Sequence, residues 1–302
     1  MATRALDVVT VFHALITLGD RIGAKRWDAV NDEQARVLAM LDTHRESIAR
    51  ITGLDALASN LYQELNKFLT DRKFAPMVDP FDPSDNIGVV SVLDKLVKWL
   101  SGPGEVIEIP SANGKLPGFK LPAQGVRVYS VAGYDESYLV ELLTKSHDTL
   151  WLFTNPDQTL DGLDLVRLSM EVMSRRRAIA SLGRMGGGTP RFAGAQIPMV
   201  DFDIHPDLGW LLGACATTEK QGAWTIVQAK QQFKMRMDET GARVKVATAL
   251  VGFRCAIPRS VPFVVDRPFY GWWTQKGIDL PMAAFFADWD SLKKPAGSLE
   301  DL

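Results

Sequence analysis

The stretch MDETGARVKVATALVGF, residues 237–253, decides the fold of this chain. It places an acidic pair and then Gly241 before a run of small and β-branched side chains, and no further carboxylate occurs before Asp266. Such a run is typical of a β-strand. The following segment FRCAIPRSVPF, residues 253–263, contains two prolines, which interrupt a strand ladder because proline has no amide hydrogen.

Two interpretations of this stretch follow from the residues alone. The simpler one is an edge hairpin that buries Val244, Val246 and Leu250, with the prolines protecting the edge from further pairing. The other is an exposed loop that the protein presents to a partner. The rest of the chain has to decide between them.

Composition limits the classes of function. The chain has 302 residues, of which 46% are hydrophobic and 23% charged, as in ordinary globular proteins. A net charge of −2 disfavours a nucleic-acid or membrane-surface partner and favours a protein or small molecule. The sequence contains no uninterrupted run of about eighteen apolar residues, so no membrane span is predicted. Two cysteines are too few for a disulfide framework or a cysteine-built metal site, so we expect a cytoplasmic protein without a cofactor or metal.

Hydrophobic periodicity divides the chain into a helix-rich first part, residues 1–124, and a strand-rich part, residues 125–295. Asn31 is positioned to cap a helix that begins at Asp32. Helices are predicted over residues 5–18, 32–51, 53–69 and 90–100, a proline-rich loop over 75–86, and strands over 105–110, 125–134 and 149–153. This order predicts an α+β fold.

No group of residues has the spacing of a catalytic site. His205 precedes Cys215 by ten residues, but the apolar setting of Cys215 favours a buried, protonated thiol over a nucleophile. A hydrolase built on Cys215 or Cys255 is therefore disfavoured. The glycine-rich segment 183–190 lacks the lysine of a phosphate-binding loop. Trp272 and Trp273 are interpreted as core residues of a strand.

The C-terminal half resembles the serpin family, the serine protease inhibitors that present a mobile bait loop. Its hinge motif is an acidic pair, a glycine and a small-residue run with Ala-Thr-Ala, and the matching residues here are Asp238, Glu239, Gly241, Ala247, Thr248 and Ala249. Downstream, FVVDRPF, residues 263–269, resembles the strand that follows the family's loop. The resemblance covers about residues 125–295. It implies one serpin-like domain over residues 1–302, with helices around antiparallel sheets and an exposed reactive-centre loop.

The resemblance also implies a site. The spacing from the hinge glycine to residue 263 matches a full-length loop and places the cleavable bond near Arg254, Cys255 and Ala256, with Arg259 as a second candidate. In the mechanism of the family, cleavage lets the loop enter the main sheet as a new strand, which displaces and distorts the acylated protease. Hinge residues that would take part are Glu239, Gly241, Ala242, Val244, Val246, Ala247 and Thr248.

Strand alternation tests whether such entry is sterically possible. From Ala242, one face of the strand carries Val244, Val246 and Thr248, all of which can be buried, and the cations Arg243 and Lys245 fall on the other face. The valines are larger than the alanines typical of the family and would slow entry.

Three functional hypotheses are thus open, and they differ in what the loop does. The first is a serpin-like inhibitor or bait of a serine or cysteine protease, and not an enzyme. The second is a non-inhibitory serpin-like protein-binding module, which the bulkier hinge favours. It is also favoured by an apparent shortage of sequence between Trp99 and Val126, where the family's central strand with its Phe and Trp motif is expected to be missing. The disfavoured third is the cysteine hydrolase.

Overall fold

A computed structural model describes residues 2–84, 86–155, 160–178, 192–218, 222–242, 261–278 and 280–301. Its four α-helices are α1 (Val8–Ile22), α2 (Asp32–Ile48), α3 (Tyr62–Thr70) and α4 (Leu163–Arg175). The first two begin at side-chain caps, where Asp7 accepts a hydrogen bond from the amide of Thr10 and Asn31 accepts one from the amide of Gln34. The predicted helix start at Asp32 is confirmed.

Strands make up most of the remaining regular structure. Their bounds are β1 (Arg4–Asp7), β2 (Leu54–Ser59), β3 (Gly88–Leu93), β4 (Val97–Lys98), β5 (Glu105–Ser111), β6 (Gly114–Pro122), β7 (Val126–Val131), β8 (Tyr134–Leu143), β9 (Asp148–Thr154), β10 (Arg176–Ala178), β11 (Gly194–Pro198), β12 (Val200–Ile204), β13 (Cys215–Thr218), β14 (Gly222–Thr225), β15 (Phe233–Met237), β16 (Gly241–Ala242), β17 (Phe263–Val264), β18 (Phe269–Gln275) and β19 (Ala283–Ala287).

The described residues form two compact units that interleave along the chain. The first unit contains residues 1–6, 96–203 and 234–302, and the second contains residues 7–95 and 204–233. The prediction of one domain over residues 1–302 stays a prediction.

The first unit is built on two larger sheets. A seven-stranded sheet has the order β1-β19-β18-β9-β8-β7-β10, and a four-stranded sheet has the order β17-β11-β6-β5. All registered pairs in these two sheets are antiparallel except β11 with β17. The unit also holds the short pairs β12–β15 and β4–β16. The predicted strands at 105–110, 125–134 and 149–153 all lie here, and Trp272 and Trp273 are buried in β18 as expected.

The second unit packs helices against a two-stranded sheet. Strands β2 and β3 pair antiparallel from Leu54 with Leu93 to Ser59 with Gly88. The core beside them consists of Leu65, Leu69, Val90 and Val92, with partly buried Leu57, Phe68, Phe74, Met77, Val78 and Phe81 around it. Three of these side chains come from the proline-rich loop, which therefore contributes packing as well as a connection.

Two helix predictions in the first third are wrong. The segment 90–100 forms β3 and β4, and the segment 53–69 forms β2 before α3 begins at Tyr62. Short apolar runs fit both a helix and a strand by period alone. The β-branched Val89, Val90 and Val92 favour the strand, and the pairing with β2 supplies the backbone partners that settle it.

The interval between Trp99 and Val126 contains regular structure, and the expected absence of the family's central strand there stays a prediction. Residues 105–122 form the β5–β6 hairpin of the four-stranded sheet, in full antiparallel register from Glu105 with Lys120 to Ser111 with Gly114. Trp99, at the start of that interval, directly follows β4.

Candidate functional site

The hinge predicted from the acidic pair is a tight turn between β15 and β16. The amide of Asp238 donates to the carbonyl of Gly241 (2.9 Å), and the amide of Gly241 donates back to the carbonyl of Asp238 (3.3 Å). The Asp238 carboxylate accepts hydrogen bonds from the amide and the hydroxyl of Thr240, at 2.8 and 2.6 Å. Aspartate suits this position because its short side chain bonds the backbone two residues ahead. The turn reverses the chain within five residues.

A segment that follows β3 holds this turn in place. Gly241 and Ala242 pair antiparallel with Lys98 and Val97, respectively. The indole nitrogen of Trp99 donates to the carbonyl of Asp238 (3.0 Å). We name residues 97–104 the hinge clamp. The segment extends to residue 104 because the amide of Gly104 also bonds to the hinge.

That further bond joins the clamp to the second acidic residue of the hinge. The amide of Gly104 donates to the carbonyl of Glu239 at 2.7 Å. The clamp itself is fixed by packing, since the buried ring of Trp99 stacks on Phe119 at 5.7 Å between centroids and 19° between planes. Both carbonyls of the acidic pair are therefore satisfied by the clamp, and the hinge is a structured element up to Ala242.

Position 241 has room only for glycine, because the backbone of Val97 lies close to it. Its φ lies outside the left-handed region, but a Cβ built on it would come within 2.2 Å of the carbonyl oxygen of Val97. Any side chain here would push β16 away from β4, because a backbone atom cannot move aside as a flexible side chain can. The close approach of the clamp therefore explains why the hinge motif has a glycine at this position.

In β15, the strand that leads to the hinge, buried apolar side chains alternate with charged ones. Phe233, Met235 and Met237 are buried, whereas Lys234 and Arg236 pair with aspartates of β12. Arg236 and its partner Asp201 are both 15% exposed, with 3.3 Å between Arg236 Nε and Asp201 Oδ1, and Arg236 also donates to the carbonyl of Ser298. Asp201 accepts a second hydrogen bond, from the amide of Ala296 (2.9 Å), so both members of the pair have a further partner that fixes their position.

The far end of the predicted loop is anchored in the four-stranded sheet. Ala193 donates to the carbonyl of Val261 (3.1 Å), and β17 runs parallel to β11 with Phe263 opposite Ala195. The Phe263 ring has edge contacts with Tyr138 at 5.3 Å and Phe192 at 5.4 Å. FVVDRPF thus begins a strand, as the sequence predicts.

The predicted site residues divide into two sets. Glu239, Gly241 and Ala242 are brought together by the turn and the clamp. The others, Val244, Val246, Ala247, Thr248, Arg254, Cys255 and Ala256, lie outside the described residues, as does the alternative Arg259. For them the sequence prediction stands as a prediction.

Sequence reasoning misses the clamp residue Trp99 because it predicts a helix over residues 90–100, and it gives Gly104 no role beyond the segment that ends this helix. The β-branched run before Trp99 was the signal that could have corrected this. The prediction that Cys215 is buried is also wrong, since the residue is partly exposed and its Sγ lies 3.9 Å from the carbonyl oxygen of Asp28. Asp28 and Cys215 form an antiparallel backbone bridge at the margin of the β13–β14 hairpin.

Comparisons with known proteins identify the fold. The sequence matches no protein-family model. It matches no curated protein either. Among solved structures, Serpin48 of the insect Tenebrio molitor is 15% identical, with a TM-score of 0.57 over 95% of this chain and 91% of that one.

Two further structures agree. Mouse protein-Z dependent protease inhibitor is 12% identical, with a TM-score of 0.56 over 95% of this chain and 90% of that one. Human thyroxine-binding globulin complexed with thyroxine is 10% identical, with a TM-score of 0.57 over 95% and 91%. The chain therefore has the mixed α+β serpin fold that the hinge and FVVDRPF predicted, at a sequence identity typical of a divergent version. Within the described residues, no helix is long and apolar enough to cross a membrane.

Proposed function

We propose that this chain is an inhibitor or bait of a serine or cysteine protease. It acts through a reactive loop that starts after Ala242, ends before Val261 and is cleaved near Arg254, Cys255 and Ala256. In this proposal the chain performs no catalysis of its own, its partner is the target protease, and it works in the cytoplasm.

The observation that carries the proposal is the pairing of the hinge with strand β4. Gly241 and Ala242 are hydrogen-bonded to β4, while residue 263 is the start of a strand in another sheet. Residues 243–260 connect two anchored ends, and Arg254 within them offers the cation that trypsin-like proteases select. The serpin fold supports the same function, since one of the similar structures is a protein-Z dependent protease inhibitor.

The inhibitory step follows from strand physics. A protease that cleaves after Arg254 forms an acyl-enzyme on its nucleophile, and the peptide on the amino side of the cut is then attached to the protease. If that peptide adds to a sheet, it gains ladder hydrogen bonds and carries the attached protease with it. The alternation from Ala242 allows this, because the side chains that would turn inward in the entered strand are Val244, Val246 and Thr248.

A second candidate is a non-inhibitory serpin-like protein-binding module. It is favoured by the bulk of Val244 and Val246, which slows entry into a packed sheet. Equal similarity to a binding globulin, at a TM-score of 0.57, also supports it.

One experiment separates the two candidates. The protein is incubated with trypsin at equimolar ratio and boiled in detergent, and the products are resolved by electrophoresis. The inhibitor yields a band at the summed mass of protease and cleaved protein, and Arg254→Ala abolishes this band while the matched variant Arg259→Ala keeps it. Complete cleavage with no such band, against trypsin and against a cysteine protease of similar specificity, would reject inhibition in favour of the binding module.

A further inference from the structure

The β13–β14 hairpin of the second unit has one covered edge and one open edge. Its strands pair from Cys215 with Thr225 to Thr218 with Gly222. On the outer side of β13, Asp28 and Cys215 exchange two backbone hydrogen bonds, with 2.6 Å from the amide of Asp28 to the carbonyl of Cys215 and 3.1 Å for the return bond. The segment before α2 thus covers part of the β13 edge. The open edge belongs to β14.

Strand alternation identifies the backbone groups at the open edge. The amide and carbonyl of Cys215 point towards Asp28 and away from β14, so its cross-strand partner Thr225 directs its own amide and carbonyl to the opposite side, out of the hairpin. The same holds two residues earlier, at Ala223. Both residues are exposed, and among the described residues the outward groups of both have no hydrogen-bond partner.

The β14 edge lacks the features that protect an exposed strand edge. Charged side chains and proline normally keep such an edge from pairing with another chain. The β5 edge of the four-stranded sheet has this protection, since its seven residues include Glu105, Glu108 and Pro110. By contrast, residues 222–229, GAWTIVQA, contain neither a charge nor a proline, and the four residues WTIV within them favour strands.

The charge pattern around this edge suits an identical partner. A two-fold dimer brings the same surface of both copies together, so a surface with charges of one sign would repel its own copy. Residues 222–229 carry no charge. The first charged residue after them, Lys230, is already paired, with 2.6 Å from its Nζ to a carboxylate oxygen of Asp79. A second copy of β14 therefore meets no like charge along this segment.

We infer that two copies of this protein pair through β14, antiparallel about a two-fold axis at Trp224. In this register Ala223 of one copy lies opposite Thr225 of the other, and their outward groups form four ladder hydrogen bonds. Within β14, only this register pairs both outward positions of both copies. The inference goes beyond the proposed protease function and does not depend on it.

The same register gives the half-buried Trp224 a defined partner. Trp224 lies opposite its own copy at a position without ladder bonds, where cross-strand side chains approach most closely. Aromatic pairs at such positions stabilise a sheet. Because Ala216, opposite Trp224 within the hairpin, is fully buried, both indoles lie on the inward-facing side of the joined strands.

The first test is the mass of the full chain in solution, measured by light scattering and sedimentation. An edge of four residues is a small interface, so we expect dissociation constants of about 10–100 µM, with monomer at about 1 µM and mostly dimer at about 500 µM. Thr225→Lys places a charge on the open edge and should weaken dimerisation at least about tenfold. The matched control is Thr217→Lys, an exposed position on β13, which should dimerise like the native protein.

The second test determines the register by disulfide formation. Both native thiols are first removed by Cys215→Ser and Cys255→Ser, and Ala223→Cys and Thr225→Cys are then made separately. In the inferred register these two positions face each other with Cα atoms about 5.5 Å apart, which suits a disulfide. An equimolar mixture should form linked dimers at least about tenfold faster than either variant alone, and a mixture of Thr217→Cys with Thr225→Cys should not.

Each other outcome overturns the inference. A native protein that is still monomeric at about 500 µM does not pair with itself, and the β14 edge would then be open to an extended segment of a different protein. A dimer that Thr225→Lys leaves unchanged, with the variant folded as judged by its native Tm, uses another surface. If each single cysteine variant links to itself as fast as the mixture links, the strands do not pair about Trp224.

Discussion

The indole nitrogen of Trp99 donates a hydrogen bond to the backbone carbonyl of Asp238 at 3.0 Å, which joins the residue after β4 to the first residue of the hinge. Because the Trp99 ring is also stacked on Phe119 of β6, the hinge is tied through one side chain to the four-stranded sheet. A turn near the predicted reactive loop is thus held by a fully buried aromatic residue.

Trp99→Phe separates the two roles of this side chain. Phenylalanine keeps the stack on Phe119 and loses the donor to Asp238, so the free energy of unfolding in urea is expected to fall by about 1–2 kcal/mol. Trp99→Ala removes the stack as well and is expected to cost about 3–5 kcal/mol. Equal losses in the two variants would show that the stack on Phe119 contributes nothing, and an unchanged stability of Trp99→Phe would show that the hydrogen bond contributes nothing.

Cleavage of the loop should change the thermal stability. A brief trypsin cut after Arg254, located by mass spectrometry and sparing Arg243 and Lys245, is expected to raise Tm by at least about 10 °C, because an added strand supplies new ladder hydrogen bonds of about 1 kcal/mol each. The control is the same treatment of Arg254→Ala. An unchanged or lower Tm after a confirmed cut would mean that the loop stays outside the sheet.

The size of the hinge side chains should affect the same process. Replacing Val244 and Val246 together by Ala shortens the inward-facing side chains, which should speed strand entry and lower the number of molecules consumed per trapped protease by about twofold to fivefold. The matched control replaces Ala247 and Ala249, on the opposite face, by Ser. If both double variants give the native ratio, the bulk of the valines is not limiting.

The buried cap of α1 makes stability depend on pH. Desolvation raises the pKa of Asp7 from 3.8 to about 7, against the lowering effect of its hydrogen bonds with Thr10 and Val9. The folded state therefore holds the proton more tightly than the unfolded state, so the stabilisation is complete below about pH 4 and is lost as pH rises to about 7. Gln231 fixes the cap through bonds to the amide and carbonyl of Asp7.

Asp7→Asn isolates this effect, because asparagine keeps the oxygen that accepts from Thr10 and does not titrate. The difference in unfolding free energy between the native protein and the variant should shift in favour of the variant by up to about 3–4 kcal/mol between pH 4 and pH 8. Urea titrations at four or five pH values measure it, and Asn31→Asp serves as a cap substitution at an exposed site. A difference that is constant with pH would refute the raised pKa.

Gly271 in β18 is predicted to be intolerant of any side chain. A Cβ at this position would lie 2.3 Å from Cζ of Phe285, its cross-strand partner. Gly271→Ala should therefore cost about 1–3 kcal/mol through overpacking. In the double variant Gly271→Ala with Phe285→Leu, the loss of stability should be about 1 kcal/mol smaller than the sum of the two single losses. The reason is that leucine is smaller than the phenylalanine ring and leaves room for the added methyl group. Strict additivity in urea unfolding would contradict the steric explanation.

Local patterns predicted the elements whose signals lie within a few residues. Asn31 before an acidic first turn predicted the start of α2, and the acidic pair, Gly241 and FVVDRPF predicted the strands on both sides of residues 243–260 and the fold that contains them. These signals are intrinsic to the chain, because caps, turns and alternation depend on neighbouring residues.

The partners of those elements came only from the tertiary structure. Residues 90–100 have a period that fits a helix or a strand, and their pairing with residues 54–59 decided for the strand. The importance of Trp99 and the steric need for Gly241 arise from contacts between residues about 140 positions apart, Trp99 with Asp238 and Val97 with Gly241. The sequence by itself predicted a hinge at Asp238–Gly241 and the residues that compose it. Tertiary structure alone decided what holds it, because the stabilising groups of a strand edge belong to whichever distant segment folds against it.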